Sequence, residues 1–442
     1  MEKGLKLGGQ MKVVKFGGSS LANSQQFEKV KKIIEKDPEI EVVVVSAPGK
    51  QNNKDHKVTD MLYLCYQLAS IQLGFQEVFK NIRDRFTEIC QTLSIDFPVE
   101  LELDRLEEEI RRAKTADFVA SRGEYLCAKV MAAYLGFEFL DAKEVFLFNK
   151  AGFDQEASYA LMQEKIKSKV VLPGFYGRGE EGEVITFSRG GSDISGAHLS
   201  AALNAEIYEN WTDVSGFLRA DPRIVEKPET IEYITFHELR ELSYMGAQVL
   251  HEEAINPVRS CGIPIHIKNT NQPEDSGTLI VKSHKEDSSI LTGVAGKKGF
   301  MVINVEKYRM TDDLSFLRKL CSVFEANGVS IYHMPTSVDT VSILVSEEEI
   351  NHKEKKILEE IDIYCQPDLY AVTKGIAILA IVGEGMAYRP GAAARVFSSL
   401  AENKINIRMI SQGASEFNIL LGVKEDDFDK AVRAIYHEFL EA

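Results

Sequence analysis

The chain has 442 residues, 44% hydrophobic and 27% charged, which is enough length for about three domains with ordinary buried cores. Its 52 Lys and Arg face 67 Asp and Glu, and a formal net charge of −15 argues against a nucleic-acid partner or an anionic membrane surface, so any anion site is local. No apolar run reaches the roughly 18 residues that span a bilayer, and six scattered cysteines without a C-x-x-C pair suit a reducing, cytoplasmic setting.

From residue 11 to about residue 285, short apolar runs alternate with helical spacing, the rhythm of an α/β sheet covered on both faces. Val13 to Phe16 and Glu41 to Val45 read as buried strands. Between them, Ser24 to Glu35 carries Phe27, Val30, Ile33 and Ile34 at helical spacing behind an N-cap at Ser24. Further strands are expected at Lys169 to Leu172, Val184 to Phe187, Glu206 to Asn210, Ile265 to Ile267 and Thr278 to Val281. Helices are expected at Asp60 to Ser70, Leu103 to Arg112, Asp117 to Leu135, Ser192 to Leu203 and Ala247 to Ser260. The polar stretch 282–299 marks a domain junction. Beyond it, residues 316–345 and 392–421 align without a gap at an offset of 76, each reading as helix, turn, strand, turn, strand. Asn327-Gly328 falls opposite Asn403-Lys404, and Ser330 to Met334 opposite Asn406 to Ile410.

Lys15-Phe16-Gly17-Gly18-Ser19-Ser20 puts a lysine at a strand end, then two glycines and two hydroxyls leading into a helix. Glycines let backbone N–H groups close on phosphate oxygens, and a helix N-terminus adds its dipole. A Gly-Gly turn after a strand is also simply a turn, and the spacing is not that of a Walker loop. Phe187-Ser188-Arg189-Gly190-Gly191-Ser192-Asp193 repeats the plan, with an arginine able to hold a carboxylate as a fork. Asp193, one turn into the helix, can accept hydrogen bonds from an incoming group or help hold Mg2+. Equally, Ser192 and Asp193 can be an N-cap and an acidic first turn. The recurrence of strand, Gly-Gly and helix, once with lysine and once with arginine, favours a site. In Ser121-Arg122-Gly123-Glu124 a glycine sits mid-helix at a cost of about 1 kcal/mol relative to alanine, which signals close approach of another group. Glu124 by itself reads as a solvated helix position. Asn210-Trp211-Thr212-Asp213-Val214 holds the only tryptophan and, with Asp221-Pro222-Arg223, reads as a turn or as a platform for a nucleotide base. The histidines lack metal spacing, and no transition-metal site is expected.

In chain order VVKFGGSS, SRGE from Ser121, SRGGSD from Ser188, WTDVSG with DPR from Trp211, ELSYMGAQVLH from Glu241 and the C-terminal repeat together resemble the aspartate kinases, over nearly the whole chain. The resemblance implies an amino-acid kinase three-layer α/β/α sandwich over 11–285, followed by two ferredoxin-like ACT modules at 300–370 and 371–442. In the family the second module can sit inside the first, which then draws its last strand from the chain's C-terminus. The implied activity is ATP-dependent phosphorylation of the L-aspartate side-chain carboxylate to 4-phospho-L-aspartate, the first step towards lysine, threonine and methionine. By the same resemblance Lys15 neutralises the transferring γ-phosphoryl, Gly17, Gly18 and Ser19 line the phosphates, and Asp193 organises that centre. Arg189 is implied as the clamp on the substrate α-carboxylate and Glu124 as the partner of its α-amino group, with Thr59 and Ser46 at the substrate's edge. Thr212, Asp213, Leu218, Arg223 and Gln248 are implied for the nucleotide, with Mg2+ bridging ATP phosphates. Leu218 stands where many relatives have tyrosine, and Gln248 where many have lysine. A carboxylate is already a nucleophile, so this chemistry needs positioning and charge neutralisation and no general base. Two other readings stay open: another carboxylate kinase of the same fold, and a catalytically silent ACT sensor.

In lysine-sensitive relatives the effector lies between ACT modules, and the matching positions are Met310, Asp313, Phe316, Leu317, Ser330, Ile331 and Tyr332. The resemblance implies that backbone groups of Ser330 to Tyr332 hold the amino acid's α-carboxylate and amine while Met310 and Phe316 cover its stem; these apolar residues equally suit a module core. Tyr332 stands where lysine binders tend to have an aspartate, which leaves Asp313 or a partner-chain carboxylate for an ε-ammonium. Lysine is therefore the first expectation as effector and threonine the second. A homo-oligomer through the ACT modules, dimer or tetramer, is implied.

Overall fold

The computed structural model describes residues 11–52, 54–187, 190–246, 250, 252–283, 290–413 and 416–440. β1 (Lys12–Phe16) and β2 (Ile40–Val45) form where the β-branched runs stand, joined by α1 (Ser24–Lys36). That helix buries Phe27, Val30, Ile33 and Ile34, but its N-cap is Asn23, whose side chain accepts from the Gln26 N–H. Ser24, expected as the cap, lies inside the first turn, where its hydroxyl donates to Glu88 at 2.6 Å. Four helices follow: α2 (Val58–Ser70), α3 (Gln76–Thr92), α4 (Val99–Arg112) and α5 (Ala116–Leu135). The sequence reading omits α3, although Phe79, Ile82, Phe86 and Ile89 give it a buried stripe at helical spacing.

The chain continues through β3 (Glu138–Phe139), the hairpin β4 (Phe148–Asn149) and β5 (Gly152–Phe153), α6 (Gln155–Lys165), β6 (Val170–Pro173), and the hairpin β7 (Tyr176–Arg178) and β8 (Val184–Thr186). The strand expected from Val184 to Phe187 thus ends at Thr186 and pairs only with β7, outside the large sheet. Next come α7 (Gly191–Leu203), β9 (Ile207–Thr212), β10 (Tyr233–Thr235), α8 (Phe236–Tyr244), α9 (Asn256–Cys261), β11 (Ile265–Asn269) and β12 (Thr278–Val281). Where one helix is expected over Ala247 to Ser260, the described residues form a 3-10 turn, Glu252–Ala254, and then α9, because Pro257 suits the first turn of a helix and not its interior.

The large sheet runs β10-β12-β11-β9-β1-β2-β6-β3 and is parallel except for β11 against β12. β1 is central, and the strand order turns there: β2 and β6 continue to one side, β9 and β11 to the other. In open α/β sheets, ligands bind beyond the carboxyl ends of the strands at such a switch. Among the described residues no helix is long and apolar enough to cross a membrane.

The described residues divide into two compact units. One takes those up to Phe217, Thr230–Phe236 and those between 248 and 284; the other takes Leu218–Glu229, those from 237 to 247 and those from 285 onward. Two short excursions of the N-terminal part therefore fold with the C-terminal unit, which the junction read at 282–299 does not convey. The C-terminal unit holds β13 (Gly293–Glu306), α10 (Leu314–Ala326), β14 (Thr340–Ser346), α11 (Glu347–Ile350), α12 (Glu354–Cys365), β15 (Leu369–Val382), α13 (Ala392–Glu402), β16 (Ile407–Ser411), β17 (Asn418–Lys424) and α14 (Phe428–Leu440). Its antiparallel sheet runs β14-β13-β15-β17-β16 and carries two cores. Met301, Ile303, Phe316, Ile343 and Ile361 form one; Leu291, Val294, Leu379, Val396 and Ile435 form the other. β13 and β15 serve both, with an irregularity in their pairing near Gly299, at φ +84°. The second core thus takes its first strand from chain that precedes the first core, so packing does not divide at residue 370. The strand expected over Ser330 to Met334 is reduced to a bridge between His333 and Leu344, next to Pro335, which has no N–H to extend the ladder. Its counterpart forms as β16. Gly328 and Lys404 end their helices alike at φ +58° and +56°, a lysine standing where glycine is preferred.

Candidate active site

Parallel pairing sets Lys15, near the end of β1, opposite Asn210 of β9 and Val44 of β2. Lys15 is 7% exposed; its Nζ lies 2.5 Å from Asp193 Oδ1, and Asn210 Nδ2 donates to the same oxygen at 2.9 Å. Asp193 stands in the first turn of α7, where the helix dipole favours a carboxylate. Gly190 enters that helix at φ +76°, and Gly191 leaves room for the Phe175 ring, which a Cβ would meet at 2.7 Å. The helix begins at Gly191 with Gly190 as its cap residue, so Ser192, expected as the N-cap, lies one residue inside. A lysine, an asparagine amide and a helix N-terminus thus converge near the carboxyl ends of β1 and β9, which is an arrangement for neutralising an anion. The motif reading assigns Asn210 no role in the site; the only signal for it is a buried amide side chain within β9, two residues before the strand ends.

The loops after β1 and β2 are in backbone contact. Gly49 N–H donates to Gly18 O at 2.7 Å, and a Cβ on Gly18 would come within 2.9 Å of Ala47 O. Gly17 N–H donates to Trp211 O at 3.0 Å, Ser46 N–H to Phe16 O at 3.2 Å, and Ser19 is half-buried in the short turn Gly18–Leu21. Gly123 of α5 meets the same β2 loop, since a Cβ there would lie 2.8 Å from the Ala47 Cβ and close to Val58 and Leu62. This is the close approach that a mid-helix glycine signals. Thr59, half-buried, follows Val58 in the first turn of α2.

Glu124 is not on a solvated face. It is 5% exposed, and burial pushes its carboxyl up to about 8 against the opposing pull of the Ala47 N–H and the Arg122 charge. Its Oε2 has no hydrogen-bond partner, a costly condition for a buried carboxyl that an incoming cation would relieve. Arg122 is engaged elsewhere, bonded to the Ser121 hydroxyl and set over the rings of Phe118, Tyr125 and Tyr176.

Trp211 is a packing residue and no base platform: it is 3% exposed, stacks on Phe16 at 5.9 Å and donates to Glu209. Thr212 ends β9, and its hydroxyl bonds the exposed Asp213 at 3.2 Å. Leu218 and Arg223 fall in the second unit, where the exposed Arg223 pairs with Asp221 at 2.6 Å. Arg189 and Gln248 lie outside the described residues. Of the expected effector positions, Met310 and Phe316 are buried in a module core, with Leu317 and Ile331 packed against it. Asp313 caps α10, accepting from Ser315 N–H at 3.0 Å, and the Ser315 hydroxyl and N–H together hold its carboxyl below the usual carboxylate range. Ser330 N–H donates to Glu349 at 2.9 Å, and the Tyr332 hydroxyl donates to the same carboxylate at 3.2 Å.

The amino acid kinase family model matches residues 10–269 and an ACT domain model matches 379–439, so the open α/β sheet with Lys15 and Asp193 at its switch point is that of an amino acid kinase. Aspartokinase 3 of Bacillus subtilis is 36% identical over 97% of this chain and 98% of that protein. The crystal structure of the Clostridium acetobutylicum aspartate kinase, described as an allosteric enzyme, is 50% identical with a TM-score of 0.92, over 97% of this chain and 100% of that one. Escherichia coli aspartokinase III, solved with lysine and aspartate, shares the fold at 24% identity and a TM-score of 0.74, over 98% of this chain and 100% of that one. Within the amino acid kinases, the chain belongs to the aspartate kinases. Its activity is phosphorylation of aspartate, with regulation through ACT domains.

Proposed function

We propose that the chain transfers the γ-phosphoryl of ATP to the side-chain carboxylate of L-aspartate, giving 4-phospho-L-aspartate for lysine, threonine and methionine synthesis. The observation that carries this reading is the Lys15–Asp193–Asn210 cluster near the carboxyl ends of β1 and β9. Lys15 neutralises charge on the transferring group, Gly17, Gly18 and Ser19 line the phosphates, and Asp193 and Asn210 hold the lysine in place. Arg189 clamps the α-carboxylate, Glu124 takes the α-ammonium, and Ser46 and Thr59 border the substrate. The unpartnered Glu124 Oε2 supports the ammonium role. Thr212, Asp213, Leu218, Arg223 and Gln248 serve the nucleotide. Among the described residues no group of three acidic, histidine or cysteine side chains could hold a metal. Asp193 would help hold Mg2+ together with the ATP phosphates, and the ion would supply charge neutralisation.

Regulation is assigned to the two ACT modules read at 300–370 and 371–442, which share β13 and β15 across that boundary, in a homo-oligomer of a cytoplasmic enzyme. Lysine is the leading effector, supported by Asp313 and by the lysine complex of the Escherichia coli relative, with threonine second. A hydroxamate assay comparing aspartate, glutamate and N-acetylglutamate, with lysine or threonine added, tests the whole reading. Aspartate should be the substrate and lysine the inhibitor; turnover of glutamate in preference to aspartate would refute the reading.

A further inference from the structure

We propose that Arg85 of α3 is a positioning residue of the aspartate site, holding the loop after β2 so that Ala47 and Gly49 keep their contacts with Glu124 and Gly18. The proposal rests on the reading of Glu124 as the partner of the substrate ammonium. Arg85 is 7% exposed, and both ends of its guanidinium are engaged: Nη1 donates to Gly49 O and Nη2 meets Asp55 Oδ2, each at 2.6 Å. Asp55 organises the rest of the loop, accepting from the N–H groups of Gln51 and His56, both at 2.8 Å.

The loop so held touches both halves of the site. Gly49 lies against the glycine pair, with a Cβ on it only 2.6 Å from the Gly18 carbonyl carbon. Ala47 packs on Gly123 and offers its N–H to Glu124. Val58 N–H closes the far end on Pro48 O at 3.1 Å and leads into Thr59. One turn along the same face of α3, Glu88 takes the Ser24 hydroxyl at 2.6 Å and so anchors the start of α1, the helix reached from Gly18. A single helix face therefore sets the β1 and β2 loops relative to each other.

Stability alone does not account for this arginine. Replacing a buried ion pair by apolar side chains is often neutral or stabilising, whereas a planar fork fixes the direction of two partners at once. Catalysis by orientation is sensitive to such placement, since a shift of about 1 Å can cost on the order of a hundredfold.

Arg85→Lys keeps the charge and loses the fork, so it should raise the aspartate KM about tenfold. The pH midpoint of that KM should move upward as the Ala47 N–H is withdrawn from Glu124. Asp55→Asn should do the same to a smaller degree, and carries the test if Arg85→Lys does not fold. An aspartate KM equal to wild type, or a raised KM with an unmoved pH midpoint, would overturn the proposal and leave Arg85 a structural residue. Glu124→Gln is measured alongside: if it too leaves the aspartate KM unchanged, the reading of Glu124 fails and the positioning role falls with it.

Discussion

If Glu124 receives the substrate ammonium, aspartate binding must depend on pH in a way set by its burial. The carboxyl sits at about 8 in the free protein instead of the ordinary 4.5, because burial disfavours its charge. At pH 7 it is largely protonated, and the ammonium requires the ionised form, so binding expels a proton. The cost is about tenfold in affinity at pH 7, or about 1.4 kcal/mol, and about a hundredfold at pH 6. The aspartate KM should accordingly fall about tenfold per pH unit up to pH 8 and level off above it. Steady-state kinetics between pH 6 and 8.5, with ATP saturating, measure this, and calorimetry in buffers of different ionisation enthalpy should show a proton released at pH 7. Glu124→Gln should flatten the profile while weakening aspartate. Stability runs the other way. A carboxyl with a raised folded value contributes fully below about 4.5 and loses that contribution as pH rises to about 8, on the order of 4–5 kcal/mol. The neutral Gln variant escapes that loss, so its melting temperature should exceed wild type by a margin that grows from pH 5 to pH 8. A wild-type KM that does not change from pH 6 to 8, or an equally steep profile in Glu124→Gln, would rule out Glu124 as the partner of the substrate ammonium.

Arg189→Lys should raise the aspartate KM by about tenfold or more while leaving the ATP KM near wild type, because a point charge cannot replace a bidentate fork on the α-carboxylate. An unchanged aspartate KM would count decisively against the clamp. For the effector, Asp313→Asn is a better probe than alanine, since asparagine also caps helices and so preserves the start of α10. It should weaken inhibition by lysine while activity without lysine stays at the wild-type level; inhibition as strong as in the native chain would move the effector site elsewhere.

Local chemistry made much of the site legible. The lysine before Gly17-Gly18, the aspartate after Gly190-Gly191, and the costly Gly123 all announce themselves within a few residues. What joins them does not, because Lys15 stands opposite Asn210 only through the parallel pairing of β1 with β9 and reaches Asp193 only where α7 begins, and buried apolar runs do not declare their order in a sheet. Glu124 read as solvated because a helix position has no visible burial until α2 and the β2 loop close over it. Arg85 was illegible for the same reason: an arginine on an amphipathic helix normally belongs to the wet face. The recurrence of strand, Gly-Gly and helix was half right in physical terms, since the first pair follows the central strand and the second follows a hairpin strand. In the regulatory unit the repeat was clear in helices and turns, while Pro335 interrupted the strand that its partner module forms.

If Lys15 stabilises the transferring phosphoryl group, its removal must fall on kcat. The direct measurement is kcat and both KM values for Lys15→Ala, with folding checked by melting temperature. The expected kcat is lower by about 10²–10³-fold, equivalent to about 3–4 kcal/mol of transition-state stabilisation, with the aspartate KM changed only a few-fold. A folded variant whose kcat stays within a few-fold of wild type would contradict it.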